Sequence, residues 1–562
     1  MLSPLDLLRR YWGFQQFRPL QESIINASLG GRDTLALLPT GSGKSLCYQI
    51  PALILPGLTL VVSPLIALMQ DQVDALVARD IPAAALHSGQ SWKEGEAILR
   101  QGLNGQLKLL YVSPERLTAM AFLEYLPGLG ISLLAVDEAH CISEWGHDFR
   151  PAYRRISDLR EELPDVPVLA LTATATPEVR ADILEQLHMS DAAVIVGPLT
   201  RPNLGLQVIH ADRKADALRD HLGAGSALIY CRHRKTTEAL AASLPGARAY
   251  HGGLPASDRR NLQDAWTSGQ SPIMVCTNAF GMGIDKADVR TVVHYDVPDS
   301  LESYSQEVGR AGRDGLPAAG VLLYGEADLR ALEALPAQRF PEEEAILDTY
   351  RDLTHFLQIP LGDGDMEWYD FPLDTFLTRF QKNATTTLYA LKALEQEELV
   401  LYSDRVNLPA MCTFTASRAE VERAQSENPV LVPLVDALLR NYPGILNYPS
   451  RISEGRLSRI TRLHEGAVSA LLLQMDRSGL LSYSPPVNAP RIRLLQPRVR
   501  LEDLRIDYGR VLARKEAFIK RLGLVIGYLT QRDICRSRYL ASYFGVPAAE
   551  DCGTCDVCRG RL

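Results

Sequence analysis

The segment Leu38-Pro39-Thr40-Gly41-Ser42-Gly43-Lys44-Ser45 has the composition of a phosphate cradle. Glycines let backbone N–H groups turn inward around phosphates, a lysine neutralises β/γ charge, and a hydroxyl such as that of Ser45 can ligate Mg²⁺. The apolar run Thr34 to Leu38 precedes it and helix-like sequence follows, although Leu38 stands where the general pattern has its first glycine. Almost one hundred residues later, Leu133-Leu134-Ala135-Val136 ends in Asp137-Glu138-Ala139-His140. Asp137 suits Mg²⁺ held through water, and Glu138 suits polarising the attacking water. An acidic pair after a strand is usually a solvated turn and His140 reads equally as a packed side chain, so the signal lies in the pairing with Lys44. Farther on, Gln306-Glu307-Val308-Gly309-Arg310-Ala311-Gly312-Arg313 places two arginines on one side of a helical turn. Inserted across a cleft, Arg310 and Arg313 would stabilise charge developing on a γ-phosphoryl group; alone they read as surface cations.

A second constellation closes the chain. Cys535, Cys552, Cys555 and Cys558 are separated by 16, 2 and 2 residues, a spacing suited to a tetrahedral, closed Zn²⁺ site. An iron–sulfur cluster is the alternative, and a redox pair would not need the outer two thiols. Cys47, Cys141, Cys231, Cys276 and Cys412 are scattered singly and read as small buried side chains.

These groups need scaffolds. A chain of 562 residues exceeds one hydrophobic core, so several compact units are expected. With 46% hydrophobic and 22% charged residues it has a globular composition, not a disordered or fibrous one. Met1 to Tyr11 lacks a signal core and no apolar run is long enough to span a bilayer, which predicts a soluble, cytoplasmic protein without membrane partners. The net charge is −8, yet Arg491 to Leu540 holds 13 Lys and Arg against 5 Asp and Glu, predicting one cationic face near the C-terminus.

Apolar runs at Thr34 to Leu38, Thr59 to Val62, Lys108 to Val112, Leu133 to Val136 and Val168 to Leu171 alternate with helix-like segments. That rhythm predicts a parallel α/β sheet with ligands at the carboxyl ends of its strands. A second set, at Ala227 to Tyr230, Ala247 to Tyr250, Ile273 to Cys276, Thr291 to Tyr295 and Gly320 to Tyr324, predicts a second such lobe. After Glu326, helical stretches lead into the alternating segments Leu399 to Phe414 and Leu480 to Leu495, each expected to fold back as the two-stranded wing of a winged-helix unit. The expected domains are 1–198 and 199–338 for the lobes, 339–420 and 421–500 for the winged helices, and 501–562 for a helical zinc module.

In this order the segments resemble the RecQ family of superfamily 2 DNA helicases. The resemblance implies an α/β architecture of two RecA-like parallel-sheet lobes, winged-helix-like domains and a C-terminal helical zinc-binding module. Trp12 to Gln21 is similar to the family's adenine-recognition segment, which implies nucleotide contacts from Phe14, Arg18 and Gln21; Phe14 stands where Tyr is common and Leu20 where Gly is frequent. With Thr40, Gly41, Ser42, Gly43, Lys44, Ser45, Gly283, Asp285 and Gln306 they make up the expected ATP site. Ser63 to Gln72 and Tyr111 to Leu117 resemble segments that touch single-stranded DNA, through Ser63, Gln70 and Arg116. Cys141 to Arg150 resembles the family's aromatic-rich loop, where Trp145 and Phe149 beside Arg150 suit stacking on unpaired bases. Leu171 to Thr176 resembles the segment linking ATP state to lobe movement, and Thr277 to Asp285 one that contacts DNA, through Thr277, and nucleotide.

The resemblance implies an ATP-dependent DNA helicase using Mg²⁺ and Zn²⁺, moving 3′ to 5′ on single strands and unwinding duplex DNA in recombination and repair. It also implies a monomer near the nucleoid, with repair proteins such as single-strand-binding protein as partners. An RNA helicase, a scaffold with a dead ATPase and a translocase that does not unwind are the competing readings. The zinc module departs from the common layout, in which it directly follows the second lobe. Wings near Tyr402 to Val406 and Tyr483 to Val487 are the candidates for a strand-separating hairpin.

Overall fold

A computed structural model describes residues 3–87, 90, 92–198, 201–223, 225–281, 286–365, 367–403, 410–446, 448–486, 490–546 and 550–560. The chain forms two compact units: Met1–Pro336 joined by Ala513–Leu562, and Ala337–Leu512. The expected position of the zinc module therefore needs refinement. Although it comes last in sequence, it folds with the two lobes, and the winged-helix region is an insertion between them.

The first lobe carries a seven-stranded sheet of β1 (Thr34–Leu37), β2 (Leu58–Val62), β3 (Ala83–Leu86), β4 (Leu109–Val112), β5 (Ile131–Val136), β6 (Val168–Thr172) and β7 (Ala193–Val196). Its order is β3-β4-β2-β5-β6-β1-β7 and every pairing is parallel. Central strands are buried on both faces, as parallel strands covered by helices require. One core packs Leu35, Leu37, Leu60 and Val62 on one face, and another packs Ala36, Val61, Leu133 and Leu169 on the opposite one. The second lobe has β8 (Leu204–His210), β9 (Ser226–Tyr230), β10 (Ala247–Tyr250), β11 (Ile273–Cys276), β12 (Val289–His294) and β13 (Ala318–Tyr324), all parallel in the order β10-β11-β9-β12-β13-β8. Strands β3, β7 and β8 are absent from the sequence reading because Ala83–Leu86 is alanine-rich and the other two are half-buried edge strands.

The zinc module covers the β8 edge. A Cβ at Gly205 would lie 3.3 Å from the Thr554 carbonyl, and Asp556 Oδ2 accepts from Val208 N at 3.3 Å. Asp556 also takes a fork of hydrogen bonds from the fully buried Arg536, with Nε and Nη2 each at 2.9 Å. On the other side, Phe544 and Val546 enter the first-lobe core, and Arg180 donates to the Phe544 carbonyl at 2.9 Å. The module thus grips both lobes and covers an open sheet edge.

The second unit corrects the expected wings. It holds β14 (Trp368–Asp370), β15 (Val400–Ser403), β16 (Ala410–Phe414), β17 (Ser450–Ile452), β18 (Leu481–Ser484) and β19 (Arg491–Leu494). Neither β15 with β16 nor β18 with β19 forms a hairpin. Instead β15 and β14 flank β19, while β17 and β18 flank β16. The two winged helices have exchanged their last strands. Residues 410–486 form a complete small domain with its own core of Phe414, Leu434, Leu457, Leu472 and Tyr483, inserted in the wing of another whose core joins Phe371, Phe376 and Leu391 to Ile492, Leu494, Leu504 and Val511. The expected boundary at residue 420 therefore cuts through one domain and leaves the other without its central strand. Asp404 to Val406 of one candidate hairpin, and Val487 of the other, lie outside the described residues.

The cationic stretch Arg491 to Leu540 is likewise not one face. It is divided between the two units, and Arg514 and Arg536 within it are buried. Among the described residues no helix is long and apolar enough to cross a membrane.

Candidate nucleotide cleft and zinc centre

The loop after β1 bends through Gly41 at φ +83° and Gly43 at φ +78°, conformations that side chains with a Cβ rarely adopt. Gln21 braces it: Nε2 donates to the carbonyls of Ser42 at 2.9 Å and Gly43 at 3.0 Å, and Oε1 accepts from Arg18 N at 2.9 Å. The Arg18 guanidinium reaches the Gly41 carbonyl. The departure at Leu20 has a visible consequence, since this residue sits at φ +69°, where glycine is unstrained.

At the end of β5, Asp137 and Glu138 are both buried. Glu138 holds φ +47°, a strained backbone for a non-glycine residue, which turns its carboxylate to 3.7 Å from Lys44 Nζ and 3.3 Å from His140 Nδ1. Burial would raise its pKa, but Lys44 and then His140 outweigh it and hold Glu138 well below the usual range. Asp137 is pushed up to about 6, first by burial and then by the adjacent Glu138 charge. Ser45 and Asp137 line the same cavity, and a hydroxyl beside a buried carboxylate is an oxygen donor set that fits Mg²⁺, which these two residues would hold. His140 Nδ1 also lies 2.9 Å from the Thr172 hydroxyl, within the segment expected to link ATP state to lobe movement.

From the second lobe, the helix α1 (Leu301–Val308) ends earlier than expected, and Arg310 and Arg313 stand on the turns that follow it. They nevertheless reach the loop. A Cβ at Gly41 would lie 3.0 Å from Arg313 Cγ, and one at Gly309 would lie 3.1 Å from Thr40 Cβ. Phe14, Arg18, Gln21, Thr40, Gly41, Gly43, Lys44, Ser45, Asp137, Glu138, Gln306, Arg310 and Arg313 line one cavity of about 540 Å³. Ser42 lies beside it, with its carbonyl held by Gln21 and its buried hydroxyl without a hydrogen-bond partner among the described residues. Gly283 and Asp285 lie outside the described residues.

Sequence reading missed the support of the arginine turn. Arg201 donates to the carbonyls of Gly309 at 2.9 Å and Ala311 at 2.5 Å, and Asn203 to those of Gly312 at 2.8 Å and Leu316 at 2.9 Å. Both lie about one hundred residues before their partners, and only the Arg-Pro-Asn break before β8 hinted at a role.

The residues expected to meet DNA are placed unequally. Trp145 is 41% exposed, whereas Ser63 is buried, its hydroxyl without a hydrogen-bond partner among the described residues. Phe149 lies half-buried under Arg154 at 5.2 Å, and Arg150 ties the loop down through Asp148 at 3.1 Å and the Pro64 carbonyl at 2.9 Å. Gln70 is exposed and bonded to Asp74 at 2.8 Å; Arg116 holds the carbonyls of His87 and Gln90 at 3.2 Å; Thr277 is buried, its hydroxyl accepting from Ala279 N at 3.4 Å.

Cys535, Cys552, Cys555 and Cys558 come together with all ligand atoms within 4.8 Å of one another. Four thiolates about 2.3 Å from zinc would be about 3.8 Å apart, and Cys555 Sγ to Cys535 Sγ is 4.0 Å. Backbone N–H groups of Cys552, Cys555 and Cys558 point at Sγ atoms of Cys535, Cys552 and Cys555, at 3.3, 3.3 and 3.4 Å. Burial opposes thiolate formation at Cys552, but hydrogen bonds led by Thr554 bring it down to about 6. The donor set fits Zn²⁺.

Family models match for DEAD/DEAH box helicase at residues 18–183, helicase conserved C-terminal domain at 213–315, RecQ helicase winged-helix domain (Bacteroidota) at 412–485, and RecQ zinc-binding at 501–559. The third match falls on the inserted domain. The chain is 47% identical over 333 residues to an ATP-dependent DNA helicase RecQ of Pasteurella multocida, covering 58% of this chain and 53% of that protein. It is 43% identical over 359 residues to a probable ATP-dependent DNA helicase RecS of Bacillus subtilis, covering 62% and 72%. The chain spans about half the length of the Pasteurella relative and of a Haemophilus influenzae RecQ, at 53% and 55%. Mss116p bound to single-stranded RNA and AMP-PNP shares the fold, with TM-score 0.50 and 17% identity over 77% of this chain and 94% of that one.

Proposed function

The chain belongs to the RecQ family of helicases, and from that premise we propose that it is an ATP-dependent DNA helicase, moving 3′ to 5′ on one strand and displacing the other in recombination and repair. The observation that carries this reading is Arg313 lying against Gly41, so that one lobe's phosphate loop and the other lobe's arginines share a cavity. Bound Mg²⁺ would neutralise charge on the β/γ-phosphates. Lys44 pairs with the same phosphates, Glu138 orients the water that attacks the γ-phosphorus, and Arg310 and Arg313 meet the charge that moves onto its oxygens. Phe14 covers the base at the cavity mouth, while Arg18 and Gln21 hold the loop.

Single-stranded DNA reaches Trp145 first, because it is the exposed ring of its loop. Phe149, Arg150, Ser63, Gln70, Arg116 and Thr277 complete the track in this reading, Arg150 and Ser63 from the loop's support and not from its surface. The protein works as a cytoplasmic, nucleoid-associated monomer, with single-strand-binding protein among its partners. The test is unwinding of forked, tailed and four-way DNA beside matched RNA. ATP-dependent separation of DNA alone is expected, and Lys44→Ala should abolish it together with hydrolysis. Full DNA-dependent hydrolysis by Lys44→Ala would overturn the proposal.

A further inference from the structure

Arg310 is 4% exposed although it lines the nucleotide cavity, so contacts within the second lobe must hold its guanidinium. A long side chain loses much rotamer freedom when buried, and a single pose needs fixed neighbours. Tyr230, at the end of β9, supplies one: its hydroxyl donates to the Phe280 carbonyl at 3.1 Å and accepts from Arg310. Gly281 supplies a second, since a Cβ there would lie 3.4 Å from Arg310 Nη2.

Behind Tyr230 lies a column of buried rings that ends in the zinc module. The Tyr230 ring stacks on His294 at 5.4 Å and 18°, and His294 Nε2 lies 2.8 Å from the Glu307 carboxylate. Tyr304 tilts against His294 at 4.9 Å and meets Tyr528 at 5.3 Å, with the two hydroxyls 3.4 Å apart. Tyr304 and Glu307 are both on α1, the helix that carries Gln306 and leads to Arg310. Tyr528 lies in the last turn of the helix Tyr508–Thr530; the Arg536 guanidinium sits 5.3 Å over its ring and donates to its carbonyl. Arg536 in turn follows Cys535, and its carboxylate partner Asp556 follows Cys555. Tyr230, His294, Tyr304, Tyr528 and Arg536 are all buried. Close-packed interiors are barely compressible, so a shift at one ring is felt at the next.

We propose that Tyr230 and Tyr528 are positioning residues for hydrolysis. Tyr230 holds the Arg310 guanidinium, and Tyr528 fixes the rings behind Tyr230, so that the zinc module sets the pose in which Arg310 meets the nucleotide. The module's hold on the β8 edge and on the first-lobe core does not require this contact, because Asp556 and Phe544 make those. Tyr528 is instead placed against α1, where its effect falls on the arginine turn. The inference rests on the proposed DNA-stimulated ATPase.

The experiment is Tyr230→Phe, Tyr528→Phe and their combination in the full chain, read by ATP turnover with saturating single-stranded DNA, thermal melting and zinc content. Each change removes one hydroxyl and keeps the ring, so all three proteins should fold, with melting temperature and zinc content close to the parent's. Tyr230→Phe is expected to lower kcat about tenfold, the scale of one hydrogen bond to a charged group, and Tyr528→Phe about threefold, the scale of a neutral one. KM for ATP should stay as it was in both. The combination should be no slower than Tyr230→Phe alone, because both changes reach Arg310 through the same hydroxyl. Unchanged kcat in either single variant, effects that multiply in the combination, or a fall in kcat that only tracks lost zinc or a lower melting temperature overturns the inference. A parent chain without DNA-stimulated ATP turnover would instead sink the proposed function.

Discussion

The cleft between the lobes and the inserted pair of winged helices answer differently to the same kind of reading. In the cleft, each segment is constrained by a small rigid ligand, so its residues are unusual in type and spacing: glycines at positive φ, a lysine before a hydroxyl, two arginines on one turn. In the winged helices the constraint is only that an alternating strand find a neighbour with a complementary face. Strands β15 and β16 alternate suitably for each other, and also for β19 and β18. Chemistry is therefore legible residue by residue, whereas the choice among equivalent partners is made by the whole second unit.

The largest expected effect separates the regions outright. A structural zinc site contributes on the order of 10 kcal/mol to the fold around it. Chelating zinc, or Cys535→Ser with Cys555→Ser, should release Asp556 and Thr554 from β8. Hydrogen exchange should then show loss of protection across Leu204–His210, with Ala410–Phe414 and Leu481–Ser484 unaffected. Loss in all three segments would mean that the two regions do not fold separately.

Within the cleft, Arg313→Ala should lower DNA-stimulated kcat by about a thousandfold, as for an arginine that meets transferred phosphoryl charge. Nucleotide binding, followed with a fluorescent ATP analogue, should weaken far less. Comparable loss in both would make Arg313 a binding group and not a catalytic one.

Ile492→Ala probes the strand exchange. This side chain is fully buried on β19 opposite Tyr369 and Tyr402, and truncation should cost about 2–5 kcal/mol. Protection should fall across Trp368–Asp370 and Val400–Ser403, far away in sequence. If it falls across Leu481–Ser484 instead, the consecutive wings expected from the sequence are the true arrangement.

Two lobes, most of their strands, the phosphate loop, the carboxylate pair and the four cysteines were readable in the chain. Each rests on neighbours in sequence or on a long apolar run. Arg201 and Asn203 were not, because their meaning depends on partners that only folding brings near. The cationic stretch misled for the same reason: a count cannot tell the exposed Lys520 from Arg536, which is buried against Asp556 and Tyr528.

Arg201→Ala offers the smallest expected effect and the finest test of that distinction. Arg201 touches carbonyls of the arginine turn, so it should act on where Arg310 and Arg313 stand and not on whether they are charged. Burial and then the nearby Arg313 lower its pKa, so the two cations repel, and the Gly309 and Ala311 carbonyls hold the guanidinium in place. Losing these bonds should reduce kcat about tenfold with little change in KM for ATP, the scale of one or two hydrogen bonds from a charged donor. Arg201→Lys should not restore it, because a single ammonium cannot reproduce a planar fork spread over several carbonyls. Full recovery with lysine would show that positive charge alone matters there, and the arginine turn would then be held by the residues of its own sequence after all.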